Sequence, residues 1–192
     1  MSPSSGAALF AVALVVIVVG FLAVTSYNAV MALRQRIDKA WSNIDVALKQ
    51  RHDQLPALVN AVKGTLAFEQ DVLSEVTRAR AAYSPTRPIP DQAAVSDETS
   101  SAVRSLFAVV EHYPDLRSQQ NVLDLQHEID RLESMIADRR ELYNDQVYRF
   151  NTRISTLPTL VLAWAFGWTP RAFFAAEVDA MTRPAIHLAS DR

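Results

Sequence analysis

Chemistry needs acids, bases, nucleophiles or metal ligands at fixed spacing, and this 192-residue sequence offers few such sets. Its histidines, His52, His112, His127 and His187, are scattered. Only His127 has a carboxylate three residues before it, at Asp124, on what reads as one helix face. Helical bundles hold metals with paired Glu-x-x-His motifs on facing helices, and the sequence contains no Glu-x-x-His. A single Asp-x-x-His pair is the ordinary content of a solvated helix face. There is no His-Glu-x-x-His, no phosphate-binding glycine loop and no Gly-x-Ser-x-Gly elbow. Cysteine is absent, which removes disulfides and thiolate metal sites and leaves the compartment open. The residue types predict no enzyme, no bound metal and no cofactor.

Polar residues set within apolar stripes are the remaining candidates. Asn144 and Asn151 lie seven apart on one side of a helix, each just after an aromatic residue, Tyr143 and Phe150. Buried asparagines in a packed bundle fix its register and partner choice at a cost in stability; the other reading is that both point to water. Arg51 and Asp53 precede Leu55-Pro56. Proline disfavours the α conformation at the residue before it and suits a first helical turn. The sequence therefore predicts a helix-turn at Pro56, with Arg51 and Asp53 as an ion pair sealing the corner.

The elements that must position these residues begin with an apolar run. From Ala7 to Val24, through Phe10, Val15, Ile17 and Gly20, no polar side chain occurs. At about 1.5 Å per residue the run covers about 27 Å, close to the roughly 30 Å of bilayer hydrocarbon. A cleaved signal peptide normally starts with basic residues and has a shorter apolar core; the start here is Met-Ser-Pro-Ser-Ser-Gly. A retained single-pass transmembrane anchor over residues 7–26, after a short tail over 1–6, is the expectation. No Lys or Arg precedes the run, whereas Arg34, Arg36 and Lys39 follow it. The positive-inside rule then puts the N-terminus outside and the remainder in the cytoplasm, a periplasmic or extracellular placement being the alternative.

Beyond the anchor, Val30, Leu33, Ile37, Trp41, Ile44 and Leu48 step by threes and fours, one stripe of an amphipathic helix. A second helix is expected after Pro56, with Val59, Val62, Leu66, Leu73, Val76 and Ala79 inward until Tyr83. Pro85, Pro88 and Pro90 suggest a stiff connector continuing through Asp91–Asp97, where Ser96 or Asp97 caps a short third helix. A long helix starts near Ser118, and its stripe from Val122 to Ile154, broken once near Arg139 or Arg140, has a period close to the 3.5 of coiled coils. The fold class read from this pattern is all-α: a transmembrane helix followed by an elongated antiparallel bundle over 27–156, three long helices and one short.

From Ile154 to Pro170 no charged residue occurs. That stretch contains Trp164, Phe166 and Trp168, is flanked by Arg153 and Arg171, and is followed by Phe173 and Phe174. It is too short and too broken to span a bilayer, but aromatic rings beside arginines suit a membrane interface. These five aromatics are the expected membrane or subunit contacts within an apolar segment over 157–177, and 178–192 reads as a flexible tail. The competing reading is packing against the bundle's own base.

Several segments together carry a resemblance. Tyr27-Asn28, Ala40 to Val46, Arg51 to Val59, Val62-Lys63-Gly64, Tyr113 to Leu116, Arg140 through Tyr143-Asn144, Asn151 with Pro158, Phe166-Gly167-Trp168 and Pro170 to Phe174 occur in order. In this the chain resembles the LemA family, from about Tyr27 to Glu177. It departs from the family pattern at Gln54, Ala57 and Phe68. The resemblance implies a membrane-anchored helical bundle with no established catalytic activity.

The charge of −2 has no basic face to suggest nucleic acid. The expected partners are the lipid bilayer and either further copies of the chain or another membrane protein. The function expected is a membrane-tethered scaffold or adaptor; the alternative is a sensor or regulatory subunit passing a signal along a continuous anchor–helix rod.

Overall fold

The computed structural model describes residues 3–64 and 69–175, with side chains from Leu9 onward. Leu66, Phe68, the 178–192 tail and the Ala7 side chain lie outside the described residues. Six helices and no strand occur among the described residues: α1 Pro3–Lys63, α2 Gln70–Ala82, α3 Ile89–Val110, α4 Pro114–Arg117, α5 Gln120–Ile154 and α6 Thr159–Phe166. The all-α class follows.

The expected turn at Pro56 is absent, since α1 continues through it to Lys63. Proline inside a helix forfeits one hydrogen bond and crowds the preceding turn, at a cost of about 3 kcal/mol or more. What offsets it is the buried stripe. Ile44, Leu48, Arg51, Leu55, Leu58 and Val62 are all buried and keep one register across the proline. Each fully buried aliphatic side chain contributes roughly 1.5–3 kcal/mol. Leu55, Leu58 and Val62 together outweigh the defect, so packing carries the helix on. The helix ends instead at Lys63, just before Gly64.

The proline-rich segment is also shorter than expected. Pro88 is the N-cap of α3 and Pro90 lies in its first turn, where a missing N–H costs nothing. Asp91, also in the first turn, complements the helix dipole. Residues 91–97 are therefore helical, and Ser96 is a buried interior residue of α3 rather than its cap.

The chain divides into two compact units, and α1 and α5 contribute to both. The first takes the chain up to Trp41 and Leu142–Arg171. In it α1 and α5 run antiparallel around Val30, Ile37, Tyr143, Val147, Phe150 and Ile154, all buried. The Trp41 and Tyr143 rings meet edge-on at 5.8 Å. The second unit takes Ser42–Glu141 and the residues from Ala172. Its core joins Leu55, Leu58 and Val62 of α1 to Val76 and Ala79 of α2, Leu106 and Phe107 of α3, Leu116, and Val122 and Ile129 of α5.

Candidate membrane-contact site

The last turns of the apolar run do not stand alone. Val19, Leu22 and Ala23 share an apolar groove with Pro158, Val161 and Leu162, and Ala23, Val24 and Tyr27 share a second with Leu162 and Phe166. Tyr27 lies 5.4 Å from the Phe166 ring and 5.7 Å from Trp168, and the latter two stack at 5.5 Å. α6 therefore lies along the final turns of the apolar run and the turn that follows it, from Val19 to Tyr27. Gly167, at φ 64°, ends it in the left-handed conformation that glycine adopts without penalty, and Trp168 N–H donates to the Ala163 carbonyl at 2.9 Å.

Even so, much apolar surface here stays uncovered: Trp164 is 86% exposed, and Leu157, Leu160, Val161 and Phe166 are exposed too. Phe10, Val15, Ile17 and Val24 of the apolar run are equally uncovered, as a helix bathed in hydrocarbon would be. Among the described residues this is the one helix long and apolar enough to cross a membrane, and it fits a membrane anchor. Trp168 is half-buried and Phe173 exposed. Phe174 corrects the expectation: it is fully buried, with the Arg140 guanidinium 5.7 Å from its ring centroid. A cation–π contact with Arg140 occupies its ring, so it offers no face to lipid or subunit.

Asn151 fixes the segment after α6. Its Nδ2 donates to the Arg171 carbonyl at 3.0 Å, and its Oδ1 accepts the Arg171 N–H at 2.8 Å. Both amide functions are thus spent on one backbone position twenty residues on. Asn144, seven residues earlier, is half-buried. Burial pushes the Tyr143 phenol up to about 12, an effect the Arg171 charge opposes and Asp38 reinforces.

The second unit carries a polar network instead of the expected corner. Arg51, 3% exposed, forms an ion pair with Glu133 of α5. It also donates to Ser100 Oγ at 2.8 Å and Ser96 Oγ at 2.9 Å, both on α3. Ser100 in turn donates to the other Glu133 oxygen at 2.6 Å. Asp53 takes no part: it is exposed and meets only the neighbouring His52 ring, at 3.2 Å. One helical turn after Leu48 and before Leu55, Arg51 falls on the inward stripe, while Asp53 falls outside it. The cavity beside Arg51 holds 20 Å³, about one water. On its wall the Tyr83 phenol is pushed up to about 12, first by burial and then by Asp45.

No group of three or more metal-ligating side chains occurs among the described residues. Asp124 accepts a hydrogen bond from Gln120 at 2.8 Å.

The LemA family profile matches residues 40–188. This chain belongs to the LemA family. A curated relative, Protein LemA of Metamycoplasma hominis, is 28% identical over 165 residues, covering 83% of this chain and 74% of that protein. The LemA match begins at Ala40 and so spans α2 to α6 and the later part of α1.

Proposed function

We propose that this member of the LemA family is a non-catalytic scaffold tethered at the bilayer, with α6 as a second membrane contact beside the N-terminal anchor. The observation that carries this reading is the shared groove of α6 with Val19, Leu22 and Ala23. If those residues lie in hydrocarbon, Trp164, Leu160 and Val161 lie at the same depth, and their exposure is met by lipid. From Val19 to Val24 is about 8 Å of helix rise, the depth at which interfacial helices bury their apolar faces. Retention of the anchor is supported by the same contacts, because removing the run up to Val24 would strip α6 of its groove. The rule of positive residues favours an N-terminus outside and the remaining helices in the cytoplasm. Held in this way, the helices assemble with further copies of the chain or recruit another membrane protein.

The test is Trp164 fluorescence in the full chain reconstituted into vesicles, with Trp41 and Trp168 replaced by Phe. Brominated acyl chains should quench it and aqueous iodide should not; quenching by iodide alone would refute the second contact. A second reading, a regulatory subunit signalling along α1, is favoured by the unbroken run of that helix from Pro3 to Lys63.

A further inference from the structure

Charge is unevenly divided in this chain. The unit containing the anchor has six basic side chains against two acidic ones, Asp38 and Asp145. Within that unit α1 and α5 enclose a groove of 580 Å³. Its floor is Ala29, Ala32 and Leu33 of α1, which share one helix face with Arg36. Its other wall is α5, where Tyr148 and Thr152 sit on successive turns beside Arg149 and Arg153. Arg149 is paired with Asp145 at 2.9 Å. Arg36 and Arg153 have no acidic partner among the described residues, and both are exposed.

Side-chain direction brings those two guanidiniums together. Trp41 meets Tyr143 across the antiparallel pair. Counting five residues back on α1 and five on along α5 sets Arg36 level with Tyr148. By the same count Arg153 is level with Met31, about 8 Å nearer the anchor. Side chains tilt toward the N-terminus of their own helix. From Arg36 that is toward the anchor, and from Arg153 it is away from it. The two therefore reach toward one level from opposite walls, near Ala32 and Thr152. Their planar donors match carboxylate oxygens in pairs.

Height rules out the bilayer's own anions. Ala32 lies eight residues past Val24, about 12 Å of rise, and the headgroup layer is roughly 5–8 Å thick on each side. The clamp thus stands in water, above the lipid phosphates. Charge opposes a second copy, which in the same bilayer would present the same basic unit at the same level. The walls describe what fits instead. From Ala29 to Arg36 is about 10 Å of rise, the span of side chains at i, i+4 and i+7 on a docked helix. Alanines on the floor let such a helix approach closely. Tyr148, 63% exposed on the rim, and the arginines are residue types that carry interface energy.

We infer that this groove docks an acidic amphipathic helix of a partner protein, its apolar face on Ala32 and Leu33 and a carboxylate held between Arg36 and Arg153. The inference rests on the tethered, recruiting reading above and names the chemistry of what is recruited.

The experiment places the full chain in phosphatidylcholine nanodiscs and titrates a labelled synthetic helical peptide, a leucine stripe flanked by glutamates. Empty nanodiscs are the blank. Binding above the blank, weakening as salt is raised, is the expected result. A partly exposed ion pair is worth up to about fivefold, so Arg36→Gln with Arg153→Gln should weaken binding roughly tenfold. Arg104→Gln with Arg117→Gln, the same charge change on exposed residues of the other unit, should have little effect. Ala32→Trp fills the floor without altering charge and should weaken binding at least as much as the arginine pair. Should that variant lose helicity by circular dichroism, Ala32→Glu, which sets a like charge in the floor, takes its place. No binding by the unaltered protein overturns the site. So does equal binding of a peptide with lysine for every glutamate, of one scrambled to lose its leucine stripe, or of a single-stranded oligonucleotide. An equal loss in the Arg104/Arg117 variant, or undiminished binding by the Ala32 variant, overturns it too. Insertion into nanodiscs without peptide binding refutes the groove alone; failure to insert refutes the tether, and this inference with it.

Discussion

Glutamine at position 133 would keep the size of Glu133 and remove its charge, leaving Arg51 as a cation 3% exposed with only neutral oxygens, those of the amide and the serines, for company. Methionine at position 51 would do the reverse, leaving Glu133 as a lone anion. The two halves of the pair are not equally placed, because the Glu133 side chain is 30% exposed and can recover water, whereas Arg51 cannot. Ser100 would also still donate to Glu133. Breaking a fully buried pair costs about 3–5 kcal/mol through the stranded charge. Glu133→Gln should approach that range, at about 3 kcal/mol. Arg51→Met, whose stranded carboxylate is partly hydrated, should cost about 1–2 kcal/mol. For a domain of this size about 3 kcal/mol corresponds to a Tm lower by roughly 6–12 °C. Thermal melts of the full chain in detergent, followed by far-ultraviolet circular dichroism, measure both variants. An Arg51→Met protein less stable than Glu133→Gln would refute the argument from stranded charge, and so would losses below about 1 kcal/mol in both.

Pro56→Ala should stabilise α1 by roughly 1–3 kcal/mol, because it restores an N–H for the His52 carbonyl inside an already continuous helix; a lower Tm would show that the proline is required. Asn151→Ala removes both bonds to Arg171 and should cost about 1–2 kcal/mol, with hydrogen exchange at the Arg171 amide accelerated while α5 keeps its protection. Tyr143 and Tyr83 have folded values near 12 against 10 for the free phenol. Their stabilisation is fully present below pH 10 and is lost as pH rises through 12, since the unfolded chain gives up these protons first. Spectrophotometric titration should show two tyrosines ionising together with alkaline unfolding, and Tyr143→Phe should remove one of them. Addition of a chelator should leave helicity unchanged, as no metal-ligand cluster occurs among the described residues.

The parts of the fold that follow one side-chain period were legible. The stripe from Val30 to Leu48, and that from Val122 through Ile129 and Tyr143 to Ile154, is buried or half-buried, because three-four spacing forces those side chains to one face whatever lies opposite. Prolines misled in two opposite ways. At Pro56 a local preference lost to the packing of Leu58 and Val62, which lies beyond any short window of sequence. At Pro88 and Pro90 the residues read as connector were the start of α3, where proline is tolerated. Aromatic composition located the apolar segment around Trp164 but not the burial of Phe174, one of whose ring neighbours, Arg140, comes thirty-four residues earlier. The Arg51 network was hidden for the same reason: Ser96, Ser100 and Glu133 come from two other helices. One clue was available, an arginine standing at an inward position between Leu48 and Leu55.

The place of α6 beside the anchor also fixes an order of assembly. The apolar run is made first, and more than a hundred residues of polar helix are made before Thr159 appears. Until then the groove that Val19, Leu22 and Ala23 share with α6 does not exist. Contacts so distant in sequence are the slow ones to close, since the whole intervening loop must be ordered first. In the meantime Leu160, Val161 and Trp164 are an uncovered apolar surface on an incomplete chain, the kind that drives misassociation. In the tethered arrangement proposed above, a bilayer already holding the anchor would keep that surface within reach of the place where it belongs.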